Sequence, residues 1–244
     1  MVDSRESPGF SRGGAVNKVI IGSATMYCAD CRDVLPELSD IDAVVTDPPF
    51  NVGKDYGVHK DAMPESDYLN WMAFVITECR RIAPQNWWVI PTSKMLNFWQ
   101  MMPSAQQVVI PMAAGYAVRS GWTQKFSSML VDGRPKKNPW NLWEGIRHRG
   151  EGYFFREDTF GHPGYTPIQI MRRAVVTSGA SSVLDPFCGT GTTGVAAIES
   201  GCEFVGIELN PEYFDIACAR IEAAYSEPNL FESKSDTLVQ EVLL

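Results

Sequence analysis

Two kinds of apolar run alternate along this chain. Short, nearly continuous ones cover Val19–Gly22, Thr25–Cys28, Ile41–Thr46, Trp87–Pro91, Ser182–Leu184 and Glu203–Glu208, and such runs read as strands buried on both faces of a parallel sheet. Between them apolar positions return every three or four residues, the spacing of one helix face. Tyr68, Leu69, Met72, Phe74, Val75, Ile76 and Ile82 mark one helix, with Asp67 at its start and Pro84 just past its end. Others are expected over Arg32–Leu38, Ser93–Met102, Tyr165–Ser178, Thr192–Ser200 and from Pro211 onward. Val108–Met112 and Tyr116–Thr123 complete the pattern as an antiparallel edge pair. Strands alternating with helices in this way predict an α/β fold, a mostly parallel doubly wound sheet with an antiparallel edge hairpin.

Two strand ends carry unusual chemistry. Ser182–Leu184 leads into Asp185-Pro186-Phe187-Cys188-Gly189-Thr190-Gly191-Thr192, a strand running through a glycine turn into a helix. Gly189 and Gly191 permit a tight turn with close backbone approach, and the N–H groups opening the helix favour a carboxylate or phosphate. Asp185 would instead meet a cation such as an amino group, and Glu208, at the tip of the next strand, suits the two hydroxyls of a ribose. A glycine turn of this kind also serves packing alone. The other strand end is Thr46-Asp47-Pro48-Pro49-Phe50. Two prolines cannot continue a ladder, so the chain is held extended at the rim where open α/β sheets bind ligands. There it presents Asp47, the Pro48 carbonyl and the Phe50 ring together.

With 244 residues, 45% of them hydrophobic, the chain fits one large domain better than two. Its net charge of −8 argues against nucleic acid as a partner until the distribution is read. Arg119, Lys125, Arg134, Lys136, Lys137, Arg147 and Arg149 stand against only Asp132 and Glu144, a local balance of +5 on a body of −13. Trp140, Trp143, Tyr153 and Phe154 are interleaved with or follow these charges, as phosphate contact with base or sugar packing requires; a solvated loop is the other reading. Cys28 and Cys31 have no second pair or histidine at ligand spacing, so no metal is expected. No run approaches a membrane span and residues 1–17, read as a flexible arm, lack the apolar centre of a signal peptide, so a cytoplasmic location is expected. Residues 18–225 then form the main domain, with 119–160 as a basic recognition segment inside it and 226–244 as a tail.

Together, Asp47-Pro48-Pro49-Phe50 and Asp185-Pro186-Phe187-Cys188-Gly189-Thr190-Gly191-Thr192 resemble the motif pair of the DNA amino-methyltransferases. Those enzymes use S-adenosylmethionine (SAM) to methylate the exocyclic nitrogen of adenine or cytosine. Further pieces in matching order are Ala29-Asp30-Cys31, Arg80-Arg81-Ile82-Ala83-Pro84, His162-Pro163 with Thr166-Pro167, and Gly206-Ile207-Glu208-Leu209-Asn210-Pro211. The catalytic motif precedes the cofactor motif, as in the permuted β class, which implies a Rossmann-like SAM-dependent methyltransferase fold with circularly permuted motif order. The resemblance implies that Asp185, Pro186, Phe187, Cys188, Gly189, Gly191, Thr192 and Glu208 hold SAM, that Asp30 contacts its adenine and that His162 helps hold its methionine end. Asp30 as a helix cap and His162 as a loop residue are the alternatives.

The same resemblance implies that Asp47 and the Pro48 carbonyl accept the two N–H bonds of a target amine. Pro49 would fix the turn and Phe50 would stack on a base flipped out of the duplex. In the family, Asp before Pro-Pro goes mostly with adenine and Ser mostly with cytosine. Adenine-N6 is therefore the expected target, cytosine-N4 the second, and a DNA-binding or cofactor-sensing relative without turnover the third reading. Lys125, Arg134, Lys136, Lys137, Arg147 and Arg149 are the DNA-binding candidates, with double-stranded DNA as the partner. A second copy of the chain and a restriction endonuclease are partners the sequence leaves open.

Overall fold

The structure, a computed structural model, describes residues 16–53, 61–117, 123–136 and 166–226. Strands β1 (Asn17–Ile21), β2 (Ala24–Cys28), β3 (Ala43–Thr46), β4 (Gln85–Val89), β5 (Gln106–Ala117), β6 (Thr123–Asp132), β7 (Ser182–Asp185) and β8 (Glu203–Glu208) form one sheet. Their order is β1-β2-β8-β7-β3-β4-β6-β5. The five central strands, β2, β8, β7, β3 and β4, run parallel, while β1 pairs antiparallel at one edge and β6 with β5 at the other. The helices are α1 (Cys31–Val34), α2 (Glu65–Ile82), α3 (Met95–Met101), α4 (Ile168–Ser178), α5 (Thr192–Glu199) and α6 (Pro211–Ser226).

The edge hairpin differs from its sequence reading. Val108–Met112 and Tyr116 lie on one strand, β5, and the partner is β6. The stretch from Pro111 to Tyr116, which reads as a turn, is a register shift within β5. A proline is tolerated there because β5 is the outermost strand, where an absent N–H need not break a ladder bond. Consequently Thr123–Asp132, the early part of the expected recognition segment, is sheet. Helix α2 starts at Glu65, so Asp67 sits in its first turn instead of capping it. The helix expected from Ser93 opens as a 3-10 turn, Thr92–Lys94.

Side chains alternate across each strand, so neighbouring residues fill opposite cores. Val45, Trp87, Val183 and Phe204 pack with α4, α5 and α6 on one face. Val44, Trp88, Leu184 and Ile207 pack with α1, α2 and α3 on the other. Trp87 and Trp88 are both fully buried, which makes them core and not base-stacking residues. The crossover from β7 to β8 uses α5 on the first face, and that from β3 to β4 uses α2 on the second. The order of strands therefore reverses between β7 and β3, and in such sheets a crevice opens beyond the carboxyl ends at the reversal. Among the described residues, no helix is long and apolar enough to cross a membrane.

Candidate active site

Because the central strands are parallel, their carboxyl ends share one edge, and the sheet order sets Asp30, Glu208, Asp185 and Asp47 along it in turn. At the reversal between β7 and β3 an open cleft is lined by Asp47 and Thr166 on one side. The glycine turn lines the other, with Asp185, Phe187, Cys188, Gly189, Thr190 and Thr192. Residues more than a hundred positions apart in the chain thus meet in one cavity.

The glycine turn closes largely on itself. Gly191 has φ +86°, and a Cβ there would lie 3.0 Å from the Ala217 Cα of α6, so only glycine fits without strain. The Gly189 N–H donates to Glu208 Oε2 at 2.7 Å, the Asn210 N–H to Oε1 at 2.8 Å, and the Cys188 N–H to the Ile207 carbonyl at 2.9 Å. Glu208 is thereby fixed beside the turn, and the Gly189 N–H is engaged by it instead of standing open to a ligand anion. Burial pushes the Glu208 carboxyl up to about 7, against the pull of those N–H groups. On α6, Arg220 donates to the Thr190 carbonyl and reaches Thr192 Oγ1 at 3.4 Å. A lone arginine on an amphipathic helix gives no sequence signal for that role.

Asp185 also differs from expectation. Its carboxylate, 2% exposed, accepts from the Thr46 hydroxyl at 2.7 Å and the Phe187 N–H at 3.0 Å. Burial pushes it up to about 6, opposed chiefly by the hydroxyls of Thr193 and Thr46. It braces the tip of β3 against the glycine turn and is not an open seat for a cation. Pro186 is buried within the turn, and the Phe187 ring meets Trp71 edge-on at 5.6 Å.

The Asp47 turn is held by distant residues. Thr166 donates its hydroxyl to Asp47 Oδ2, and Tyr68 donates to the Pro49 carbonyl at 3.0 Å. Asn51, at φ +56°, exchanges two bonds with the Met63 backbone. Asp61, 1% exposed, accepts the N–H groups of Asn51 and Val52 at 2.6 and 2.9 Å. Lys94 bonds Glu65 at 2.7 Å and lies over the Tyr68 ring, while Phe50 is half-buried against the core under α2. Pro48 is buried. The sequence does not single out Tyr68, Asp61, Met63 and Lys94 as site residues, and it marks Thr166 only as part of the Thr166-Pro167 piece.

Asp30 takes the capping alternative. It accepts from the Arg32 N–H at 2.9 Å and pairs with the Arg32 guanidinium at 2.6 Å. Arg134 and Lys136 are not brought to the cleft. Gly133, just before them, presses on the Pro84 carbonyl where β4 begins, the Lys136 N–H donates to the Ser178 carbonyl at 3.1 Å, and its Nζ lies 3.8 Å from Asp42. All three contacts are at the amino ends of the parallel strands, opposite Asp47. Lys125 lies on β6; Lys137, Arg147, Arg149 and His162 lie outside the described residues.

Comparison with known proteins agrees with this geometry. A family profile described as DNA methylase matches residues 114–219, a span that holds the glycine turn and Glu208 but not Asp47. The chain is 26% identical to the DNA adenine methyltransferase YhdJ of Escherichia coli (strain K12), over 83% of this chain and 85% of that protein. Its fold is similar to that of the M1.HpyAVI–SAM complex, with a TM-score of 0.56 and 20% identity over 81% of this chain and 99% of the other. It is also similar to PvuII DNA methyltransferase (cytosine-N4-specific), with a TM-score of 0.62 and 14% identity over 84% and 92% of the two chains. By profile over residues 114–219, by these relatives and by overall fold, the chain is similar to the N6/N4 DNA methyltransferases.

Proposed function

We propose that this chain transfers a methyl group from SAM to N6 of adenine in double-stranded DNA. The observation that carries the reading is the single cleft joining Asp47 to the glycine turn at the sheet's reversal point. Its residues fit the cofactor: Gly191 lets the turn lie close against Ala217 of α6 and so keep its shape, and Glu208, fixed beside the turn by the Gly189 and Asn210 N–H groups, keeps acceptor capacity for ribose hydroxyls. Thr190, Thr192 and Met171 offer hydroxyls and an apolar wall. When bound, SAM supplies a methyl on a positively charged sulfur, already a good electrophile.

The protein's task is to make a poor nucleophile react. An amino group on a nucleobase has its lone pair delocalised into the ring. Accepting its two N–H bonds at the Asp47 carboxylate and the Pro48 carbonyl draws the nitrogen toward tetrahedral geometry and frees that pair, in line with the incoming methyl. Phe50 stacks on the extruded ring, offsetting the few kcal/mol of unstacking. After transfer the nitrogen is cationic and releases a proton readily. Lys125, Lys137, Arg147 and Arg149 supply phosphate contacts in this reading; Arg134 and Lys136 leave that set.

YhdJ, named an adenine methyltransferase, and the Asp at the head of the Pro-Pro motif support adenine. The likeness to a cytosine-N4-specific enzyme supports cytosine-N4 as a second reading. Labelled SAM is incubated with unmethylated genomic DNA, which is then digested and analysed by mass spectrometry of the nucleosides. N6-methyladenine is expected; N4-methylcytosine would overturn the base choice. No label in DNA, with SAM binding intact, would overturn the reading itself.

A further inference from the structure

We propose that Thr166 is a positioning residue that aims the Asp47 carboxylate at the target amine and ties it to the cofactor half of the protein. The inference rests on Asp47 acting as proposed above. Thr166 stands one position before the capping residue of helix α4, so the helix start makes no claim on its hydroxyl. The capping position falls to Pro167, the helix start carries no side-chain cap, and the Thr166 hydroxyl donates to Asp47 Oδ2, 119 positions away in sequence.

Fixing one carboxylate oxygen fixes the rotation about the Cβ–Cγ bond and so the place of the other. A carboxylate that must accept one particular N–H gains from being held this way before the base arrives, because the reacting geometry then needs no reorganisation. A hydroxyl suits the role: it donates to the ionised form and brings no competing charge. The residue next to Asp47, Thr46, makes the mirror contact, donating to Asp185 at the cofactor turn. Two consecutive residues at the tip of β3 are thus latched to the cofactor half, one through Asp185 and one through the segment that leads into α4. Thr166 itself and Met171, within α4, both line the cleft.

The test compares Thr166→Val, which keeps the shape and removes the donor, with Thr166→Ser, which keeps the donor. Turnover on DNA is measured together with SAM affinity by calorimetry and the KM for DNA. Thr166→Val is expected to lower kcat about 10-fold, equivalent to about 1.4 kcal/mol, with SAM affinity and KM for DNA within about twofold, and Thr166→Ser to recover most of the loss. A readout without turnover accompanies it: in the protein alone, Thr166→Val lowers the urea midpoint in the parent background but not in Asp47→Ala. Unchanged kcat in Thr166→Val, a parallel loss of SAM affinity, failure of serine to rescue, or equal midpoint shifts in both backgrounds would each overturn the positioning role. Asp47→Ala separates the two levels. If it stays active, the proposed function falls; if it is inactive while Thr166→Val is fully active, only the role of Thr166 falls.

Discussion

The two sides of the cleft are built in opposite ways. On the cofactor side, strand, glycine turn, helix and next strand lie within residues 182–226, and the bonds that shape the turn, from Gly189 to Glu208 and from Cys188 to Ile207, stay inside that span. On the other side, the Asp47 turn is short and rigid but is held by Tyr68, Asp61, Met63 and Thr166, from three separate parts of the chain. A binding turn shaped mostly within its own span, with Thr46 bonding Asp185 from outside it, is thus set against a reacting turn fixed from several distant places. Substitutions on the first side should change cofactor affinity, and substitutions on the second should change turnover.

The largest effect is expected at Gly191. Alanine there would carry a left-handed φ and a Cβ 3.0 Å from Ala217, a strain of about 1–3 kcal/mol. If the turn shifts to relieve that strain, SAM affinity, read by calorimetry, should fall about 5- to 150-fold, since 1.4 kcal/mol is a factor of ten. Across the cleft, Tyr68→Phe removes the bond to the Pro49 carbonyl. A net loss of about 1 kcal/mol predicts a kcat about fivefold lower with SAM affinity unchanged. Loss of SAM affinity in this variant would erase the distinction between the two sides.

The difference in construction also explains what the sequence reveals. Asp185 to Glu208 is readable because its partners fall at short, fixed spacings. The Asp-Pro-Pro-Phe turn is readable because two prolines dictate its backbone locally. Asp61 is an ordinary polar residue until the fold brings it to Asn51, and Thr166, though part of the Thr166-Pro167 piece, carries no local sign that its partner is Asp47. Asp185 shows the same limit: its place at the strand tip is legible, but its inward bonds to Thr46 and Thr193 depend on the neighbouring strand and the helix after the turn. Trp87 and Trp88 are legible as core because a run buried on both faces puts adjacent residues in opposite layers. The basic stretch divides between a sheet strand, the far edge of the sheet and residues outside the described set.

A smaller effect concerns pH. Glu208 and Asp185 titrate near 7 and 6 in the folded protein, above their unfolded values of about 4.3 and 3.9. Between those limits the folded state binds more protons than the unfolded one. Their contribution to stability is therefore fully present at low pH and is lost as pH rises through 6 and 7. Thermal unfolding of the protein alone should show this fall, and Glu208→Gln should flatten it between about pH 4 and 7. An unchanged slope would mean that Glu208 is not the group responsible.

The smallest effect is expected at Lys136, which lies at the edge away from the cleft beside Asp42. Lys136→Ala should leave DNA affinity and its salt dependence unchanged, whereas loss of a phosphate contact at Lys137, Arg147 or Arg149 should reduce the salt slope by about one. A weakened, flatter salt response in Lys136→Ala would bring DNA to the opposite edge of the sheet and contradict the division drawn here.

The most direct test of the central claim is Asp47→Ala, assayed for SAM binding and for methyl transfer to DNA in the same preparation. The account predicts SAM affinity within about twofold of the parent, because the bonds that shape the glycine turn do not involve Asp47, and no methylated base in the digest. Transfer at the parent rate, or loss of SAM binding together with transfer, would contradict it.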